Sequence, residues 1–291
     1  MGAAVAAVLF GASVVAVRVA VRDVPPVSLA VLRFGLGGLL LLLVALTVRR
    51  DALRLEREVV PRFALLALVF YALFPLSFNI GLRFTEASRG ALMLATMPVW
   101  SAVMARKAVG ERLLPHQTAG VVLSIVGIAV AFAERGLFVR TSGRAVLGDS
   151  LLLLTAFWGA LYGVLSKRAL ARSSALTVTT FPMLIGTAYL FPVALVEGLP
   201  SALASLDGTT LWLVLFIAVP GGAVAFYLWT SALSRLTPTQ VAVYVNINPL
   251  VATALAALLL DERLSVLFAV GFAAVVGGVL LVNRPAARGR G

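Results

Sequence analysis

The sequence predicts an all-α membrane protein of ten transmembrane helices, arranged as two inverted five-helix repeats. Three observations carry that expectation. Of 291 residues, 61% are hydrophobic and 12% are charged, against roughly 45–50% and about 25% in ordinary soluble domains, so a water-soluble globule would expose apolar patches that such proteins do not tolerate. A bilayer core about 30 Å thick needs roughly 20 apolar residues per helix, and ten runs of that order follow one another along the chain. Finally, a shift of 151 residues superposes Ala91 on Ala242, Pro98 on Pro249, Glu111-Arg112-Leu113 on Glu262-Arg263-Leu264, Gly120 on Gly271 and Gly127 on Gly278. A helical proline, a charged pair and two glycines in one register mark a duplicated unit. Five helices is an odd number, so the second copy enters the membrane in the opposite direction.

Charge, Pro and Gly bound the runs in order: Ala3 to Val21, Pro26 to Val48, Phe63 to Leu82, Ser88 to Val109, Gln117 to Ala133, Leu147 to Ser166, Leu176 to Val196, Leu211 to Leu233, Thr239 to Leu260 and Val266 to Val282. The first lacks a basic leading segment and is followed by further spans, so it reads as a helix and not a cleaved signal. Loops are short, and the longest, from Glu134 to Gly148, divides the chain into a first repeat at 1–134 and a second at 147–283, leaving a basic tail at 284–291. With the N-terminus inside, fifteen Lys and Arg fall on that side and seven opposite. The positive-inside rule then sets both termini in the cytoplasm of a multi-pass inner-membrane protein.

The net charge of +12 is spread through the gaps between apolar runs, which reads as topology and excludes a nucleic-acid partner. The chain has no cysteine and one histidine, His116, so thiolate, iron–sulfur and multi-histidine metal sites are excluded, and no cofactor or metal is expected. Nucleotide loops, zinc helices and Ser-His pairs are absent as well, which argues against an enzyme. His116 follows Pro115 in a basic loop and reads as a solvated surface residue.

The chain resembles the EamA branch of the drug/metabolite transporter superfamily over nearly its whole length. The resemblance is carried by FGASVVAVRVAVRDVPPVSLAVLRF from Phe10 to Phe34, RFTEASRGALMLATMPVWSAVMARKAVGERL from Arg83 to Leu113, and NINPLVATALAALLLDERL from Asn246 to Leu264. It implies ten helices in inverted halves, cytoplasmic termini, and a central cavity lined by helices one, three, four, six, eight and nine. It also implies export of amino acids and related metabolites. Where the family often has a Trp-Gly pair in the first helix, this chain has Phe10-Gly11, and the aromatic-glycine pair recurs as Trp158-Gly159. That departure weakens any aromatic contact assigned to Phe10.

Polar groups in hydrocarbon cost free energy unless partnered, so polar residues sharing a helical face are the candidate substrate-binding site. Tyr227, Thr230, Ser231 and Ser234 share a face of the eighth helix, Gln240, Tyr244 and Asn248 one of the ninth, and Trp158, Tyr162 and Ser166 one of the sixth. On the fourth, Arg89, Met93, Thr96 and Trp100 occupy the face equivalent through the repeat to Gln240 and Tyr244, while Asn79 in the third matches Thr230. Aromatics, Met and scattered hydroxyls and amides suit small amphipathic solutes. The plainer reading is that hydroxyls bond back to their own helices and Tyr and Asn glue neighbours together.

Arg18 and Arg33 lie within spans, and a mid-bilayer arginine costs at least about 2.5 kcal/mol. Either binds an anionic substrate head, or Arg18 snorkels to the interface and Arg33 clamps backbone carbonyls. Pro98 and Pro249 interrupt matching helices and read as hinges, with static kinks the alternative. Pro75, Pro182, Pro192 and Pro220 lack partners at this register and read as packing kinks. The Glu111-Arg112 and Glu262-Arg263 pairs end equivalent helices as interfacial clamps or gate halves. Gly120, Ser124 and Gly127, matched by Gly271 and Gly278, predict close packing of helices five and ten or a homodimer seam.

No Asp or Glu lies deep inside any run; Glu86 and Glu197 fall at edges. Since a buried carboxylate is the usual device for exchanging protons against cationic drugs, facilitated export of a small-molecule substrate is the leading expectation. Proton-coupled multidrug efflux through an edge residue such as Glu86 or His116, and a non-transporting membrane receptor, are the alternatives.

Overall fold

A computed structural model describes residues 1–49, 57–82, 84, 87–133, 143–259 and 265–285. The side chains of Arg18 and Arg89, together with Arg83, Glu86, Glu262 and Arg263, lie outside the described residues. Among the described residues thirteen helices carry the fold: α1 (Gly2–Ala20), α2 (Pro26–Val48), α3 (Val60–Gly81), α4 (Ala87–Leu94), α5 (Met97–Ala108), α6 (Pro115–Ala131), α7 (Gly143–Ala169), α8 (Ala175–Glu197), α9 (Leu199–Ala204), α10 (Gly208–Arg235), α11 (Pro238–Ala242), α12 (Ile247–Leu259) and α13 (Val266–Val282). Among the described residues there is no strand.

Helix starts follow local chemistry. Pro26, Pro115 and Pro238 take the first helical position, where a missing N–H costs nothing. Ser174, Asp207, Thr237 and Ser265 accept from the backbone N–H three residues on. Gly198, at φ 108°, turns the chain from α8 into α9 in the left-handed region that a side chain resists.

Among the described residues five helices, α2, α3, α7, α8 and α10, are long and apolar enough to cross a membrane, and Gly2–Val17, α6 and α13 are shorter apolar helices. Their outer faces carry exposed apolar side chains such as Leu39, Leu43, Val103, Val193 and Leu280, a surface suited to lipid.

The fourth and ninth expected spans are not continuous. The first breaks at Ala95–Thr96 between α4 and α5, and the second passes through a 3₁₀ turn at Val243–Asn246 between α11 and α12. Pro98 and Pro249 explain both, because a proline cannot donate to the carbonyl four residues back, at Leu94 and Val245. The Thr96 hydroxyl donates to the Met93 carbonyl (2.6 Å) in the first gap.

A second pair of irregularities was not legible in the sequence. Within α3 a π-turn spans Leu68–Leu73, and within α10 another spans Val219–Val224. These two segments correspond residue for residue under the 151-residue shift. Pro75 and Pro220, expected as unmatched packing kinks, each withdraw one N–H beside or within a π-turn, favouring the wider hydrogen-bond ring.

The first and second halves of the chain interlock. α6 packs along α13 with almost no space between backbones: a Cβ on Gly120 would lie 2.7 Å from the Gly278 carbonyl oxygen, and one on Gly127 2.9 Å from that of Gly271. The repeat shift carries Gly120 to Gly271 and Gly127 to Gly278, so it exchanges one contact for the other, as a local two-fold would. Close helix packing within the chain is thus the use to which these glycines are put. Elsewhere, Gly11 of α1 abuts the Asn248 carbonyl and Gly159 of α7 abuts Met97, and Met97 and Asn248 are again 151 apart.

Candidate functional site

Residues of both π-turns, Tyr71 of the first and Ala223 of the second, fall in one buried apolar cluster. Tyr71 in the first turn is buried against Gly186 of α8, which has no room for a Cβ beside the tyrosine ring. Gly222, its counterpart in the second, lies against Arg33 of α2. A large residue meets a small one in each case, with the roles of the copies reversed.

Around Tyr71 the rings close into a cluster. Phe34 stands edge-on at 4.8 Å, Phe226 lies at 5.9 Å and Tyr162 at 6.2 Å. Phe70 bridges Tyr162 (4.3 Å) and Phe226 (5.5 Å), and Phe10 of α1 joins at 4.8 Å from Phe226. Such edge-to-face and offset pairs contribute about 0.5–1.5 kcal/mol each beyond burial. The Tyr162 hydroxyl lies near those of Tyr71, Ser166 and Thr230, and none of the four has a hydrogen bond of regular geometry. Four buried, unpartnered hydroxyls among rings cost stability. A bound solute would recover that cost by accepting from or donating to them.

Arg33 is the cation of this cluster. Its Nη2 donates to the Gly221 carbonyl (2.9 Å) in the second π-turn, and its guanidinium carbon lies 5.6 Å from the centre of the Phe34 ring and 5.7 Å from that of Phe226. The carbonyl clamp expected as one alternative is formed, while Nε is buried without a partner.

The candidate residues divide. Tyr162 and Thr230 are fully buried in the central cluster, and Trp158 packs against it from α7. Tyr244 is half-buried between two further apolar clusters. Asn248, Met93 and Thr96 are half-buried near the helix breaks, with Asn248 Oδ1 unpartnered. Trp100 and Tyr227 are exposed, as is Asn79, so these three stand outside the buried cluster. The eighth-helix face therefore splits: Thr230 turns inward, while Tyr227 and Ser234 turn outward.

Sequence reasoning missed Tyr71, Phe34, Phe226 and Asn246. The last donates through Nδ2 to Ser124 Oγ at 3.0 Å, tying the second helix break to α6. One signal pointed toward the third helix: Phe70, Phe74 and Phe78 repeat every fourth residue and stack in succession.

At the end of the molecule near Glu111 the halves are tied by polar contacts. Lys167 donates to the carbonyls of Leu233 (2.8 Å), Ser234 (3.3 Å) and Leu236 (3.0 Å), closing the end of α10. Arg168 donates to Ala108 O (3.1 Å), and buried Glu111 accepts from Thr239 N (3.4 Å). Glu111 thus faces Thr239 and Lys167 and not Arg112, which is exposed. Burial raises the Glu111 carboxyl above its ordinary value of 4.5, opposed by Thr237, Thr239 and the Lys167 charge. At the other end Glu197 accepts from Ser28 N (2.8 Å) and Ser28 Oγ (3.1 Å), capping α2. His116 Nε2 sits 3.3 Å from the Arg284 carbonyl oxygen on the surface.

Comparison with known proteins gives the chain that carries this aromatic, hydroxyl-bearing centre a family. The EamA-like transporter family model matches residues 1–133 and 146–284. The chain belongs to that family. It is therefore a membrane-embedded transporter-family protein, and not a member of an enzyme family. A probable amino-acid metabolite efflux pump of Escherichia coli is 28% identical, covering 94% of this chain and 91% of its own. A probable terminal-alkyne amino-acid exporter of Streptantibioticus cattleyicolor is 29% identical over 77% of this chain and 73% of its own. An uncharacterized transporter of Archaeoglobus fulgidus is 27% identical over 94% and 93%. A solved crystal structure shares the fold at TM-score 0.81 and 20% identity, covering 97% of this chain and 95% of that one.

Proposed function

We propose that the protein exports small amphipathic metabolites, amino acids among them, across the inner membrane by alternating access. In this reading ten spans form two inverted halves, both termini are cytoplasmic, and the solute sits at the central cluster between the halves. The observation that carries it is the set of four unpartnered hydroxyls, on Tyr71, Tyr162, Ser166 and Thr230, enclosed by aromatic rings at the junction of the copies. Transporters of this symmetry bind their solutes near the midplane at the repeat interface.

Motion is supported by the paired irregularities. The breaks before Pro98 and Pro249 and the two π-turns occupy equivalent positions, so bending at one copy's set would open one membrane face and bending at the other's the opposite face. The names of the two efflux relatives support an amino-acid-like cargo.

The test is uptake of radiolabelled amino acids, nucleosides and cationic dyes into proteoliposomes, with and without an imposed proton gradient. Gradient-independent flux of amino acids is the expected result. Dye movement that requires the gradient would overturn facilitated metabolite export.

A further inference from the structure

Among the described residues, Arg33 is a buried charge for which neither the repeat nor the helix ends account. It lies two turns inside α2, and among the described residues its charge meets no carboxylate. No Asp or Glu stands deep in any apolar run of the sequence. At the ends, Glu197 is engaged with Ser28, Asp23 accepts from the Thr210 hydroxyl (3.2 Å), and Glu111 faces Thr239 and Lys167. A guanidinium carries five N–H donors, and the bond to Gly221 O uses one of them, while Nε stays buried and unpartnered. The Phe34 and Phe226 rings offset part of the desolvation of the cation but cannot neutralise it. A charge held in hydrocarbon-like surroundings without a counterion is stabilised by any anion that reaches it.

We infer that Arg33 is the anion-recognition residue of the central site, and that the cargo is a small organic carboxylate carrying an aromatic or branched apolar body. The inference rests on the export reading above and narrows its substrate. The carboxylate takes the free edge of the guanidinium, the fork-like geometry that arginine favours, and the apolar body lies among Phe10, Phe70 and Tyr162. A primary amine without a carboxylate would face the like charge of Arg33 and is excluded. Because the same guanidinium holds Gly221 in the π-turn of α10, a bound anion also pulls on the turn whose geometry differs from an ordinary helix. Arg33 thereby links occupancy of the site to the helix that carries Phe226 and Thr230.

Three probes with one apolar body separate the outcomes: phenylalanine, 3-phenylpropanoate and phenethylamine. Equilibrium binding to the purified full-length protein in nanodiscs, and flux into proteoliposomes, are measured for each. Phenylalanine and 3-phenylpropanoate bind the wild type and phenethylamine does not. Arg33→Gln weakens both carboxylates by about ten- to a hundredfold, and Arg33→Lys, which keeps the charge but not the fork, weakens them less. The wild-type series needs no variant, so it decides the matter even where Arg33→Gln fails to fold. Phenethylamine binding as tightly as 3-phenylpropanoate, no binding of any probe, or a folded Arg33→Gln protein with unchanged carboxylate affinity overturns the inference. Carboxylate binding without flux keeps the anion site and overturns the export reading. Flux of phenethylamine alone does the reverse.

Discussion

The seam between α6 and α13 and the ring cluster around Tyr71 both join the first half of the chain to the second, yet they are built on opposite principles. At the seam, glycines bring backbones into contact and leave no room for a Cβ between them. In the cluster, large rings meet at the edges of two π-turns, and their hydroxyls lack partners. In a bilayer helices gain nothing from the hydrophobic effect, because lipid tails are as apolar as leucine; close van der Waals packing and interhelical hydrogen bonds hold them together. The seam maximises the first of these. The cluster forgoes the second, which suits a surface that must re-form around a solute.

That contrast is broken most severely at the seam. Gly278→Leu or Gly127→Leu drives a side chain into the opposing backbone and should cost about 3 kcal/mol or more; loss of the monodisperse peak or a large fall in Tm on heating the detergent-solubilised protein is expected. A normal Tm would mean that the seam yields as readily as the cluster.

In the cluster the expected sign is different. Tyr162→Phe removes a buried hydroxyl that has no hydrogen bond of regular geometry, so Tm holds or rises, while flux of the preferred solute falls about tenfold, the loss of one solute hydrogen bond. If both Tm and flux fall, the hydroxyl is structural and the distinction between the two regions dissolves.

A smaller effect is expected at the helix breaks. Pro98→Ala or Pro249→Ala restores a backbone donor at the gap, which should raise Tm modestly and slow flux severalfold, measured in proteoliposomes at matched protein density. Unchanged flux would make the breaks static kinks.

The smallest effect is at Glu111. Its carboxyl is raised by burial, so ionisation above the folded value disfavours the native state, and the loss is relieved as pH falls through that value. Glu111→Gln should therefore stabilise at mildly alkaline pH, with the Tm difference shrinking toward zero below the ordinary value of 4.5. A difference that grows on acidification would give Glu111 the opposite sign.

Much of this was legible beforehand for a physical reason. Apolar run length, charge at run ends and a register shared by Pro98 and Pro249 are local or one-dimensional properties, and they predicted an all-helical membrane protein with paired helix breaks. Tyr162, Thr230 and Trp158 were singled out because a helical face is readable from spacing, and the structure places all three at the ring cluster. Tyr227 and Ser234 share that spacing with Thr230, and periodicity alone does not say which edge of a face points inward.

What the sequence by itself determined is therefore the composition that demands a bilayer, the helical character, the paired breaks before Pro98 and Pro249, and the family to which its motifs belong. Only the tertiary structure decided that Tyr71 opposes Gly186, that Arg33 clamps Gly221, and that two π-turns coincide under the repeat. These depend on which residues from distant helices share one small volume, and on the free energy of their mutual packing, which no single helix encodes.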